Sequence, residues 1–374
     1  HQSKYLSLNH SPEMKFMTNN ALTEITIKNF KCFTDLHLEG FERVNLIGGK
    51  NNVGKTAFLE AVELNVSSSK ANDLLHTIYQ IMRRRQQNIR LIDMELDFIT
   101  HLDKAVLISS NTNKCSVKYL EEGETPLQNT IFDKFDMDDH EKIESSSIIA
   151  DPSLEFIVNE NHRILPVERI FERRGYISLL SRRENNSLMK TNIISPTTSN
   201  EQDIAIFYGA LVDLNKESFL NESLQLFDEN IISLKQKATE KDIVLKIEIK
   251  DRKRPVLLSS LGDGINRFIA ILCAIWASQD GFLLIDEIEN GIHYTNYPKL
   301  WKIIFQASKD ANCQLFITTH SKECIQAFND ANISNEGAYF EFYKNLKKNK
   351  ITAHKRDKQQ LDYALSNDRR VRGE

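Results

Sequence analysis

The chain has 374 residues, with 48 Lys+Arg against 52 Asp+Glu, a formal net charge of −4 and 41% apolar residues. That supplies apolar surface for a sizeable core, and it excludes low-complexity disorder, collagen and a short disulfide scaffold. The longest strongly apolar run, residues 268–277, has ten residues, where a bilayer-crossing helix needs about 20, so no membrane span is expected. Five scattered cysteines (Cys32, Cys115, Cys273, Cys313, Cys324) form no CxxC pair. They read as structural thiols of a reducing cytoplasm, without a zinc site.

In chain order, residues 1–20 are polar and aperiodic and read as a flexible leader, with no apolar signal core and with Met14 or Met17 as candidate starts. From Leu22 apolar residues alternate, which predicts strands joined by short turns. Residues 43–47 (RVNLI) predict a buried strand, followed by a glycine turn and the helix-forming TAFLEAVEL. Strand-like runs recur at 105–109 and 116–120. Residues 133–144 hold six acids and two lysines, the pattern of a solvated loop or helix end. From there to about 240 the signals read as helical, with amphipathic spacing at 207–214 and 219–234. Residues 242–250 predict an alternating, edge-like strand. After them come a short strand at 257–260, a buried helix at 265–278, a buried strand at 282–285, a helix at 298–308 and a buried strand at 314–318. A closing hairpin pairs 338–343 with 351–353.

Four constellations carry chemistry. Gly49-Lys-Asn51-Asn52-Val-Gly54-Lys55-Thr56-Ala57 contains G-x4-G-K-[ST] between a buried strand and a helix. The glycines let successive backbone N–H groups turn inward on phosphate oxygens, and Lys55 neutralises the terminal phosphates. Thr56 offers a hydroxyl to Mg²⁺. Residues 282–287 (FLLIDE) are a buried strand ending in Asp286, placed to orient a metal-bound water, with Glu287 as the natural general base. Residues 316–321 (FITTHS) end another buried strand in His320, 34 positions after Asp286, where an imidazole can report on a γ-phosphate. Residues 258–267 (LSSLGDGINR) are a glycine turn opening a buried helix, a possible second phosphate contact.

Taken in order, these motifs resemble an ABC-type ATPase. ITIKNFKCF, LSSLGDGINRF and LLIDEIENGIHY are similar to the AAA/OLD-type branch (overcoming lysogenisation defect), which is related to RecF and the chromosome-maintenance ATPases. The resemblance runs from about residue 21 to the end. It implies an α/β fold: an ABC-type P-loop ATPase head with a mixed β-sheet core, an antiparallel β subdomain and an inserted helical subdomain. The expected division is a leader at 1–20, head segments at 21–125 and 241–374, and the insertion at 126–240. ATP and Mg²⁺ are the implied cofactors. Gly49, Asn51, Asn52, Gly54, Lys55, Thr56 and Ala57 would bind the nucleotide, Thr56 and Asp286 the metal, and Glu287 and His320 would be catalytic.

The resemblance further implies a head-to-tail homodimer or higher oligomer around ATP. In it Ser260, Gly262, Asp263 and Gly264 would reach the partner's nucleotide, and residues 289–293 would line the seam. The signature departs from LSGGQ, and the glutamine that usually couples the metal to the helical lobe stays open among Gln80, Gln86 and Gln87. Only 54 residues follow His320, with no DxD. The chain is therefore expected to lack a Toprim nuclease, like the stand-alone ATPase subunits of anti-phage systems such as PARIS and Septu. A slow, regulatory cytoplasmic ATPase controlling a separate nuclease or toxin effector is the leading expectation, with DNA or a phage-derived trigger. A RecF-like DNA-repair ATPase is the alternative. Basic clusters at Arg83–85, 173–174 and 182–183 and in the tail read as phosphate contacts or as solvated faces.

Overall fold

The computed structural model describes residues 21–86, 103–124, 149–171, 190–196, 201–238, 243–345, 347 and 349–367. The leader at 1–20, the acidic run at 133–144, Gln87 and the arginines at 173–174 and 182–183 lie outside them.

A six-stranded mixed sheet forms the centre. Its strands are, from one edge to the other, β15 (Lys350–Arg356), β14 (Gly337–Asn345), β3 (Val44–Gly49), β13 (Gln314–Thr319), β12 (Phe282–Ile285) and β8 (Thr191–Ile194). Only β15 runs antiparallel to its neighbour. Every residue of β3, β12 and β13 is buried, which is why these strands read as continuous apolar runs. Their side chains alternate between two cores. Leu46, Leu283, Ile285, Leu315 and Ile317 face one, while Ile47, Leu284 and Phe316 face the other.

On the first face lie α6 (Asp263–Ala277), α7 (Tyr297–Asp310) and α8 (Lys322–Ala331), with α4 (Glu201–Asp213) and α5 (Glu217–Phe227) packed on α6. On the second lie α1 (Lys55–Val66), α2 (Ala71–Arg85) and an all-antiparallel sheet. That sheet has the order β2 (Phe33–Glu39), β1 (Glu24–Phe30), β4 (Val106–Ser110), β5 (Lys114–Leu120), β6 (Ser153–Val158) and β7 (Asn161–Pro166). A three-stranded sheet of β11 (Val256–Leu257), β10 (Ile243–Ile249) and β9 (Ile231–Ala238) extends the first face. The short α3 (Val167–Phe171) follows β7, and α9 (Lys358–Ser366) closes the described chain.

The α/β class, the mixed core sheet and the antiparallel subdomain are as expected. The helical reading of 126–240 needs correction. Within its described part, β6 and β7 form a hairpin that finishes the antiparallel sheet, and β8 is the far edge of the core sheet. Leu154, Phe156 and Val158 are buried at a period of two, and Asn159 turns the hairpin with φ of +52°. Such a short alternating run is also compatible with a helix, and cross-strand pairing decided it. The helix expected over 219–234 stops at Phe227, because residues 228–230 turn the chain into β9. β10 is the middle strand of its sheet rather than an edge. The strand expected at 257–260 is two strand residues and one 3₁₀ turn.

Candidate functional site

Parallel strands in register end together. Ile285 of β12 pairs with Ile317 and Ile194, and Thr319 of β13 pairs with Gly48 of β3. The carboxyl ends of β8, β12, β13 and β3 therefore form one rim, the usual place for a ligand in such a sheet.

At β3 the chain turns through residues 50–54 into α1. Gly54 holds φ of +84°, and a Cβ there would lie 2.5 Å from Cys32 Sγ and 2.9 Å from the Phe33 ring, so only glycine fits. Asn52 is also left-handed, with φ of +63°, and Asn51 and Asn52 are exposed while Ala57 is buried. Lys55 is buried, and its Nζ donates to the carbonyls of Gly49 (2.6 Å) and Lys50 (2.7 Å). Burial pushes its pKa down, and the carboxylates of Glu289, Asp286 and Glu287 oppose that shift.

Asp286 is the hub of the rim. Thr56 Oγ1 donates to its Oδ2 at 2.8 Å and Thr318 Oγ1 to its Oδ1 at 2.5 Å. Two residues 230 positions apart in sequence, Thr56 and Asp286, thus share a hydrogen bond. Glu287 follows in a left-handed conformation, φ of +50°, which is strained for a side chain with a Cβ. Its N–H donates to Thr318 Oγ1 at 2.8 Å. His320, at the end of β13, donates its backbone N–H to Glu289 Oε1 at 2.6 Å, and its ring Nδ1 lies 3.0 Å from the same oxygen. A hydroxyl and a carboxylate oxygen already side by side, next to a buried lysine, fit a hard divalent cation and phosphate oxygens. The residues present therefore suit Mg²⁺.

The signature turn is solvent-facing: Ser260, Gly262 and Asp263 are exposed. Gly264 packs so tightly on the next loop that a Cβ would lie 2.8 Å from Gly291 O. The turn and the exposed Asn290, Gly291 and His293 therefore form a single surface. It borders a groove of about 670 Å³ lined by Phe227, Gly262, Gly264, Gly291, His293 and Lys299.

Three contributors to this rim were not among the residues expected in it. Arg267, one turn into α6, is fully buried and donates to the carbonyls of Ser195 (2.6 Å), Asp286 (2.7 Å) and Glu287 (3.2 Å). Burial lowers its pKa to about 10, against the pull of Asp286, Glu289 and Glu287. A single arginine at the head of the apolar run RFIAILCAIWA was the available signal, since a buried charge demands partners. Thr318 sits inside a motif already singled out, and Glu289 was expected at the seam.

The glutamines fall elsewhere. Gln80 lies on α2 with its side chain 3.4 Å from His76, and Gln86 caps α2. The end of β8 comes to Asp286 instead, with Ile194 O accepting the Asp286 N–H at 2.9 Å. The Arg83–85 cluster is partly internal, because Arg84 pairs with Glu63 and Arg85 with Glu60, both on α1. Cys32 is exposed beside the phosphate loop, while the other four cysteines are buried. Among the described residues no helix is long and apolar enough to cross a membrane.

Comparison with known proteins agrees with this chemistry. An ATP/GTP phosphatase of Helicobacter pylori is 27% identical over 329 residues, covering 82% of this chain and 86% of that protein. Among solved structures, an SMC head bound to the C-terminal winged-helix domain of ScpA aligns with a TM-score of 0.49 and 11% identity, over 92% of this chain and 99% of that one. The SMC head domain of Thermotoga maritima aligns at 0.44 and 14%, over 90% and 99%. A family model described as an AAA ATPase domain matches residues 21–206. A second, described as "AAA domain, putative AbiEii toxin, Type IV TA system", matches residues 127–325. With more than half its length matched by that second model and its phosphate loop joined to the Asp286 strand, the chain belongs to this AAA-domain family and is an ATPase of the AAA/ABC type.

Proposed function

We propose that the chain binds ATP with Mg²⁺ at the Gly49–Ala57 loop, hydrolyses it slowly, and pairs head to tail with a second copy around the nucleotide. Opening and closing of that pair would control a separate effector protein in defence against phage. The observation that carries the catalytic part is the Thr56–Asp286 hydrogen bond beside buried Lys55.

Thr56 and Asp286 would hold Mg²⁺, which when bound neutralises charge on the phosphate oxygens. Lys55 exchanges its two loop carbonyls for phosphate oxygens. Glu287, held by Thr318 at the rim, accepts the proton of the attacking water. His320 lines the same rim and supplies a polar contact to the terminal phosphate. The pairing reading is supported by the exposed signature turn, in which Ser260, Gly262 and Asp263 face solvent beside the 289–293 loop. The effector reading rests on the motif resemblance to stand-alone anti-phage ATPase subunits.

The test is equilibrium binding of a fluorescent ATP analogue. Wild-type protein binds in a Mg²⁺-dependent way, and Lys55→Ala loses at least about 100-fold in affinity, the equivalent of two strong charge-assisted contacts. Equal affinity in the two proteins overturns the reading.

A further inference from the structure

Glu289 stands three residues past Asp286, in the loop expected to face a second copy, yet its side chain is 7% exposed and turned into its own rim. One oxygen, Oε1, does two things: it accepts the His320 backbone N–H at 2.6 Å and faces the ring Nδ1 at 3.0 Å. The other, Oε2, is buried without a hydrogen-bond partner among the described residues. The Glu289 charge, with those of Asp286 and Glu287, opposes the downward shift that burial imposes on Lys55. A buried carboxylate with an unsatisfied oxygen costs stability. Its placement is therefore explained by the site rather than by the fold.

We infer that Glu289 is the positioning residue for His320: it fixes the end of β13 through the backbone and aligns the imidazole through its charge, at the mouth of the Lys55 loop. This rests on the proposed ATPase mechanism, in which Glu287 is the base and His320 contacts the terminal phosphate. Glu287 is held separately, through its own N–H on Thr318. The two acids thus have different tasks. Replacing Glu289 by glutamine keeps an oxygen for the backbone N–H and removes only the charge facing the ring.

Two measurements test it. In Glu289→Gln the His320 ring ¹⁵N resonances move, while in Glu287→Gln they stay within error of wild type. An unmoved ring in Glu289→Gln overturns the inference, even in a protein that turned over no ATP. In steady-state hydrolysis, Glu289→Gln lowers kcat about tenfold or more, as expected for loss of one charge-assisted alignment, with KM for ATP within about twofold. In a His320→Ala background the same change has no further effect. Additive losses, or a loss confined to KM, overturn it. A wild type inactive in hydrolysis but with the ring shift present would instead sink the ATPase reading alone.

Discussion

At the residue scale, the face of α1 that begins at Thr56 continues through Glu60 and Glu63, four and seven positions on. Both acids are buried and answered by cations: Lys31 and Arg85 on Glu60, Arg84 on Glu63. For Glu63 burial wins over Arg84 and raises the carboxyl pKa to about 7 from an ordinary 4.5. Between those values the folded protein keeps a proton that the unfolded chain has lost. Stability therefore falls as pH rises from about 4.5 to 7, by up to about 3 kcal/mol. Urea unfolding of Glu63→Gln across this range should show a flatter pH dependence than wild type. A parallel profile would place the proton elsewhere. At Gly54, alanine must adopt φ near +84° and displace Cys32 or Phe33. Gly54→Ala should cost about 1–3 kcal/mol and weaken nucleotide binding, read by thermal unfolding and by the ATP-analogue titration.

At the element scale, α6 is the part that ties the signature turn to the acidic strand. Its first turn carries Gly264 against Gly291, and Arg267, one turn on, holds the carbonyls of Asp286 and Glu287. Moving the helix therefore moves the rim. Arg267→Met removes three hydrogen bonds and leaves buried carbonyls unpaired, so a loss of about 3 kcal/mol is expected. A denaturation midpoint equal to wild type would show that the carbonyls find other donors. Legibility at this scale followed chemistry. β3, β12, β13 and α6 were readable because burial forces long apolar runs, and the turn at 49–54 because glycine is required by its backbone. The β6–β7 hairpin was not. SLEFIV mixes Leu, Glu and Ile, and NHRILP sets Ile and Leu behind polar residues, so neither selects a strand by itself; pairing of β6 with β5 and of β7 with β6 does.

At the scale of the whole molecule, Ser260, Gly262 and Asp263 lie on the surface shared with Asn290, Gly291 and His293. If that surface meets a second copy across ATP, Glu287→Gln with ATP and Mg²⁺ should raise the molar mass from about 43 kDa, the chain mass of 43.2 kDa, to twice that value by light scattering. Hydrolysis in this variant should be at least about 100-fold slower, the usual scale for removing a general base. A monomer under these conditions would argue against pairing around the nucleotide. Unchanged turnover would remove Glu287 from the role of base. Repeating the measurement with a short duplex DNA separates nucleotide-driven from DNA-driven assembly.

By itself the sequence determined the α/β class, the glycine turn at 49–54 between strand and helix, the acidic strand end and the histidine strand end. Each follows from a local requirement: glycine where φ is positive, apolar runs where a strand is covered on both faces, and a carboxylate just past the last strand residue. Only the tertiary structure decided which distant groups meet. It joined Thr56 to Asp286, set Thr318 between Asp286 and Glu287, brought Arg267 under both, and set Glu289 against His320. Such pairings depend on the register of β3, β13, β12 and β8 in one sheet, and strand register is a property of several segments together.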